Sequence, residues 1–273
     1  MPEVKLHDGS IVEIEVHGEG PALLLPVNPK PLEGPQAEQL RQYGADPALG
    51  KSLIDGFSDV FRVIAFDYEG NVLSLPKPET LTPDNVAADL LAVADAAGAD
   101  RFAYYGYSWL AMVGLQLALR TKRLSALAMG GFSPLDGPYK VMLKVTTAAN
   151  NMAGGYGPTS EEDEWSTAGM SKGQTQQFVT LYQALQGFDD EAVQTQITCP
   201  RLCFVGSTDA MQYGKNWGDV YVDLAEPIVR ERKRLESLGW NVRILDGLDH
   251  MQAMQASQVL PILHPWLEDK LKV

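Results

Sequence analysis

Phe102-Ala103-Tyr104-Tyr105-Gly106-Tyr107-Ser108-Trp109-Leu110-Ala111 changes character half-way along its length. The first half is continuously apolar, without the alternation of a half-exposed strand, and such a run belongs to a strand covered on both faces. From Ser108 to Arg120 the pattern is helical. The segment therefore predicts a buried strand ending at Gly106 and a helix beginning just after Ser108, with that serine on a tight strand-to-helix turn, its hydroxyl pushed outward and a helix N-terminus behind it. A turn this sharp wants small residues two positions to either side. Gly106 meets the demand; Leu110, where a second glycine is usual, does not. Taken alone, the segment reads equally as a turn that presents a nucleophile and as an ordinary buried turn serine.

Working outward, the same two-faced apolar run recurs at Ala22 to Val27, Phe61 to Phe66, Ala126 to Met129 and Leu202 to Val205. Helical patterns lie between or after these runs, at Pro83 to Ala97, Leu224 to Leu238 and Met251 to Leu271. Strand alternating with helix predicts an α/β fold, a mostly parallel central sheet with helices on both faces. Ahead of it, apolar and polar residues alternate on both sides of His7-Asp8-Gly9-Ser10, a hairpin signal. One stretch breaks the rhythm. Residues 133–198 hold no buried-strand run, only helix-like pieces at Val141 to Met152 and Gly173 to Leu185, and the stretch is too long for an ordinary loop. The expected organisation is a core of residues 1–132 and 199–273 with a helical cap inserted at 133–198.

Composition removes whole classes of function. With 35 Asp and Glu against 22 Lys and Arg the net charge is −13, which argues against nucleic acid or an anionic membrane surface as partner, because both are bound by neutralising phosphate with basic side chains. A small-molecule substrate is the expected partner; oligomeric state is not legible. The two cysteines, Cys199 and Cys203, would lie roughly 13 Å apart on one extended segment, beyond the roughly 7 Å limit for a bridge. The uncharged run Phe102 to Leu119 contains three tyrosines, Ser108 and Gln116, and splits better into strand plus helix than into a bilayer span. The amino-terminal residues lack the apolar core of a secretion signal, which reads as a cytoplasmic protein.

A serine hydroxyl is a weak nucleophile unless a base takes its proton, and the base needs an acid to hold its tautomer. Of four histidines, His7, His17 and His264 read as surface residues. His250 follows the strand-like Val242-Arg243-Ile244-Leu245 and a short loop, the place from which a base projects over the carboxyl edge of a sheet. The acid at the end of a buried run is Asp209, in Gly206-Ser207-Thr208-Asp209; Asp136, after the strand that precedes the insertion, is the alternative. Asp246 and Asp249 read as solvated. Tyr107, Trp109, Tyr213, Trp217 and Trp165 are candidate pocket residues, with plain packing as the other reading; Tyr221 and the methionines of the insertion extend that apolar surface.

Nucleophile, acid and histidine in the order Ser108, Asp209, His250 resemble an α/β-hydrolase-fold serine hydrolase over nearly the whole chain. Phe66-Asp67-Tyr68-Glu69-Gly70-Asn71-Val72-Leu73-Ser74 is similar to the D-x-x-G-x-G-x-S loop of that family, with Val72 or Leu73 where a second glycine is common. Ile197-Thr198-Cys199-Pro200-Arg201-Leu202 is similar to its return from cap to sheet. The resemblance implies hydrolysis of a small or apolar ester, thioester or lactone through an acyl-enzyme, with no metal or organic cofactor. It also implies an oxyanion hole made by the backbone N–H groups of Asn28 and Trp109. Pro26-Val27-Asn28 stands where the family has His-Gly, which leaves a non-catalytic ligand-binding protein as the rival, beside C–C hydrolysis, perhydrolysis and acyl transfer by the same triad.

Overall fold

The computed structural model describes residues 2–42, 44–154 and 170–273. The chain opens with an antiparallel ribbon of β1 (Glu3–Lys5) and β2 (Ile11–Glu13), in register Lys5↔Ile11, turning through Gly9 at φ +86°. β3 (Glu15–His17) and β4 (Ala22–Leu25) follow, then α1 (Gly34–Gln42), α2 (Leu49–Phe57), β5 (Arg62–Ala65), α3 (Tyr68–Ser74) and α4 (Pro83–Ala96). Thr82 caps α4 by accepting the Asn85 N–H, and Pro83 occupies the first turn, where its missing N–H is not needed.

β6 (Phe102–Tyr107), α5 (Trp109–Arg120) and β7 (Leu124–Gly130) form the centre. After β7 come α6 (Tyr139–Met152) and α7 (Lys172–Ala184), the latter started by a Ser171/Gln174 capping box. The two helices pack on each other, α7 also against α3. The chain then returns through β8 (Arg201–Gly206), β9 (Ala210–Tyr213), β10 (Val220–Asp223), α8 (Ala225–Arg230), α9 (Arg232–Ser237), β11 (Trp240–Leu245), α10 (His250–Ala253) and α11 (Ala256–Leu271).

Seven strands make one sheet in the order β11-β8-β7-β6-β4-β5-β3, all neighbours parallel except β3, which runs antiparallel to β5 at the edge. Successive residues of each strand face opposite sides. Leu24, Ile64 and Tyr104 join a core with Val86 and Leu90 of α4 and Leu117 of α5. Leu23, Val63, Ala103 and Phe204 join a second core with Phe57 of α2 and Leu263 of α11. Two cores, one on each face, explain why the strands carry no polar alternation.

Four stretches differ from the sequence expectation. The segment after Asp209 folds as the separate β9–β10 ribbon, the pattern at Leu224 to Leu238 is split at Glu231 into α8 and α9, and the last helical pattern is broken before Ala256. The stretch resembling a loop, Tyr68 to Ser74, is the helix α3, capped by Asp67, which accepts the Gly70 N–H. His7 is not a free surface residue: its ring lies 2.8 Å from the carboxylate of buried Asp89 and 3.0 Å from the Thr80 hydroxyl, and Tyr68 donates to the same Asp89 at 2.8 Å. His264, on α11, is paired with Asp59 and Glu268. Among the described residues no helix is long and apolar enough to cross a membrane, and both cysteines are free thiols.

Candidate active site

The parallel register carries several chain segments to one rim. Leu24 pairs Tyr104 and Tyr107 pairs Gly130, so Asn28 and Ser108 each lie four residues beyond a shared ladder rung. At the other side Leu245 pairs Gly206, which sends the loops bearing His250 and Asp209 out of neighbouring strands at the same carboxyl edge.

Ser108 occupies φ +56°, ψ −129°, a region costing a side-chain-bearing residue about 1–3 kcal/mol and held only where the surroundings over-determine it. Two sets of hydrogen bonds do so. The Ser108 N–H donates to the Gly130 carbonyl at 2.8 Å, and its own carbonyl accepts the N–H groups of Ala111 and Met112 at 2.9 and 3.2 Å, the first bonds of α5. The turn fits because a Cβ at Gly106 would lie 2.4 Å from the Leu110 carbonyl. Leu110 is therefore tolerated: the close approach of strand and helix is provided on the strand side, and the Tyr104 hydroxyl donates to that same Leu110 carbonyl at 2.8 Å.

Asp209 is fully buried, and its Oδ2 lies 2.8 Å from Nδ1 of His250. An ionised carboxylate only accepts, so Nδ1 carries the proton and Nε2 presents a lone pair. Oδ1 of Asp209 is buried without a partner among the described residues, so the ring nitrogen is the carboxylate's hydrogen-bonding outlet. The Asp209 backbone is fixed as well, its carbonyl accepting from Leu224 and Ala225 at 2.9 and 3.1 Å. Asp136 is elsewhere engaged. It sits at φ +52° with its carboxylate 2.5 Å from the Arg230 guanidinium, exposed. Asp249 caps α10 through the Gln252 N–H, directly ahead of His250.

Ser108 and His250 share one neighbourhood without a direct bond. A Cβ at Gly131, the residue after the one that holds the Ser108 N–H, would stand 3.0 Å from Cε1 of His250. No hydrogen bond joins the Ser108 hydroxyl to the imidazole in this structure; such contacts are often long before substrate tightens them. The side chain that steadies the histidine is Tyr107, whose hydroxyl donates to the His250 carbonyl at 2.7 Å while the rings stack obliquely, centroids 4.9 Å apart. The sequence places Tyr107 beside the serine but carries no sign of that bond.

The N–H of Trp109 lies in the first turn of α5, where no intrahelical acceptor exists, and the N–H of Asn28 makes no hydrogen bond among the described residues. The Asn28 side chain is used locally, accepting the Lys30 N–H at 3.0 Å. The Trp109 indole is buried, edge-on to Phe178 of α7 at 5.4 Å, and its Nε1 donates to Glu69 at 3.0 Å. Tyr213 and Trp217 are buried and packed on each other, centroids 5.6 Å apart. Burial, with the nearby charge of Asp209, pushes the Tyr213 phenol up to about 12, whereas Tyr221 is exposed. Trp165 falls outside the described residues. Among the described residues no group of three or more His, Cys, Asp or Glu is placed to hold a metal ion.

A seven-stranded, mostly parallel sheet with helices on both faces, a serine on a strained strand-to-helix turn and a histidine–carboxylate pair at the same rim define the class: the chain has the α/β-hydrolase fold. No family model matches the sequence, and no curated protein matches it. Solved structures do. The chain is similar to a thermophilic esterase from Thermogutta terrifontis (15% identity, 98% of each chain covered, TM-score 0.63). It is also similar to a structure described with carboxylesterases of Nitrososphaera gargenis (18%, 99% of each chain, 0.63) and to an enol-lactonase from Burkholderia xenovorans LB400 (15%, 100% of each chain, 0.55).

Proposed function

We propose that the chain is a serine hydrolase acting on a small or apolar carboxylic ester, thioester or lactone. The observation that carries this reading is the 2.8 Å bond between His250 and buried Asp209 at the rim where Ser108 is held at positive φ. Ser108 Oγ attacks the carbonyl carbon as Nε2 of His250 takes its proton. Asp209 holds the ring in the matching tautomer and steadies the positive charge it acquires. The carbonyl oxygen, now anionic, accepts from the N–H groups of Asn28 and Trp109. As the intermediate collapses, His250 returns the proton to the departing oxygen or sulfur, and water releases the acyl group by the same route. We read α6 and α7 as the cap over this rim, Phe178 of α7 standing edge-on to Trp109. The similarity to an esterase and an enol-lactonase supports the reaction class.

The missing bond between Ser108 and His250 favours a second reading, a ligand-binding protein on the same fold. A fluorophosphonate probe separates the two. Labelling of the native protein that disappears in Ser108→Ala and falls at least about 10³-fold in rate in His250→Ala is expected; a folded native protein that takes up no label would falsify the enzyme.

A further inference from the structure

α5 begins beside Ser108 and ends at Arg120; at roughly 1.5 Å per helical residue, its far end stands about 18 Å from the strained turn. There α5 meets the first turn of α4 and the segment at the end of α7, and the three leave a cavity of about 400 Å³ between them. That volume is in the range of small-molecule sites. Pro83, Leu119, Leu185 and Phe188 give it hydrocarbon walls, and Asp84, Gln116 and Arg120 are its polar part. The proposed reaction uses none of these residues.

The hydrogen bonds of the polar part do not close. A guanidinium only donates, so the Gln116 amide must turn its oxygen to Arg120; Oε1 and the Gln116 backbone carbonyl both accept from Nη1 at 2.9 Å. That fixes which amide atom is left over. Nε2 of Gln116, in a residue only 2% exposed, has no partner among the described residues, and a buried donor left unpaired is costly. Arg120 Nε donates to Asp84 at 2.7 Å, while Nη2 has no partner among the described residues. The Asp84 side chain is 79% exposed, so solvent screens its charge. Two donors, one of them cationic, are therefore unused at an otherwise apolar cavity.

We infer that this cavity is a second ligand site, which takes a small apolar carboxylate. One carboxylate oxygen accepts from Nη2 of Arg120 in a charge-assisted bond. The other accepts from Nε2 of Gln116, whose soft terminal torsion lets the amide tilt toward the cavity. The hydrocarbon of the ligand lies against Leu119, Leu185 and Phe188. A neutral acceptor would satisfy the amide but gain little from the guanidinium, and a cation would be repelled by it. The site stands at the opposite end of α5 from Ser108 and does not depend on that serine being a nucleophile.

Titration calorimetry with hexanoate, hexanamide and hexylammonium, alike in length and different in charge, tests the ligand class. Hexanoate should bind the native protein at least about tenfold tighter than hexanamide, and hexylammonium should not bind. Two variants locate the site. Arg120→Gln should bring the hexanoate affinity down to that of hexanamide. Ala184 lines the cavity from an exposed position, so Ala184→Trp fills the space without disturbing the core, and it should abolish hexanoate binding with the Tm retained. A carboxylate held instead at the catalytic rim would bind both variants as it binds the native protein. Absence of hexanoate binding at about 5 mM, equal affinities for hexanoate and hexanamide, or an unchanged hexanoate affinity in either folded variant overturns the inference. Because binding is read without turnover, a protein that hydrolyses no ester yet binds hexanoate in this way refutes the reaction and not the second site.

Discussion

Ser108 shows how much of a site one backbone angle can encode. A serine at φ +56° is out of place in an ordinary helix start, and it is held there by Gly130, Ala111 and Met112. Asp209 and Asp136 show how neighbours decide between chemically identical groups. The first is buried against an imidazole and the second is exposed against a guanidinium. Asp209→Asn should therefore lower turnover by about 10³–10⁴-fold, whereas Asp136→Asn should change it less than about threefold; steady-state kinetics on an activated ester reads both. The three residues proposed to react were legible because each follows an apolar run, and the ends of buried strands can be read from composition. Tyr107 and Glu69 were not. The hydroxyl of Tyr107 meets a carbonyl 143 positions away, and the carboxylate of Glu69 meets an indole on a different element. No local pattern records either meeting.

At the level of elements, the loop after β4 is shaped from outside. Gly50, inside α2, lies where a Cβ would come 1.9 Å from the Asn28 carbonyl, so the helix packs directly on the backbone of that loop. Gly50→Ala should displace Asn28 and its N–H; the expected result is a loss of at least about tenfold in the rate of fluorophosphonate labelling, with helix content by circular dichroism retained. Full labelling speed in a folded variant would take Asn28 out of the oxyanion hole. The elements misread from sequence are those without a clean pattern. β9 (Ala-Met-Gln-Tyr) and β10 (Val-Tyr-Val-Asp) mix polar and apolar residues and form no continuous apolar run. At the breaks the packing partner changes, α8 lying on β8 and α9 on β11, α10 on β8 and α11 on α2 and β7, while the residues themselves continue a helical pattern.

Across the whole molecule, ion pairs and hydrogen bonds fasten outer elements to one another. Lys77, fully buried, reaches Asp8 on the β1–β2 turn at 2.7 Å, and Asp89 of α4 gathers His7 and Tyr68. At the opposite face His264 of α11 binds Asp59 next to α2. Desolvation lowers the His264 imidazole, but the Asp59 hydrogen bond and charge, with Glu268, outweigh it and raise the ring above its usual range. The His264 hydrogen bond holds the Asp59 carboxyl below its own range. A base with a raised folded value contributes fully below its unfolded value and loses that contribution as pH climbs through the folded one. An acid with a lowered value contributes above its unfolded value and loses that as pH drops through the folded one. His264→Gln should therefore cost about 1–2 °C in Tm near pH 5.5 and close to nothing at pH 9. A deficit that grows with pH would contradict the pairing. The parallel sheet itself was the most legible part of the molecule, since Leu23-Leu24-Leu25 and Phe102-Ala103-Tyr104-Tyr105 are apolar on both faces for the reason the two cores display.

That parallel ladder also turns arithmetic into chemistry. Asn28 and Ser108 are each a fixed number of steps past a common rung, and one step of extended chain is about 3.3 Å, whereas a reacting group misplaced by about 1 Å already loses most of its advantage. Between Leu24 and Asn28, or between Tyr104 and Ser108, spelling is negotiable but letter count is not: a single inserted or deleted residue moves a donor or a hydroxyl out of range even when every side chain there is preserved.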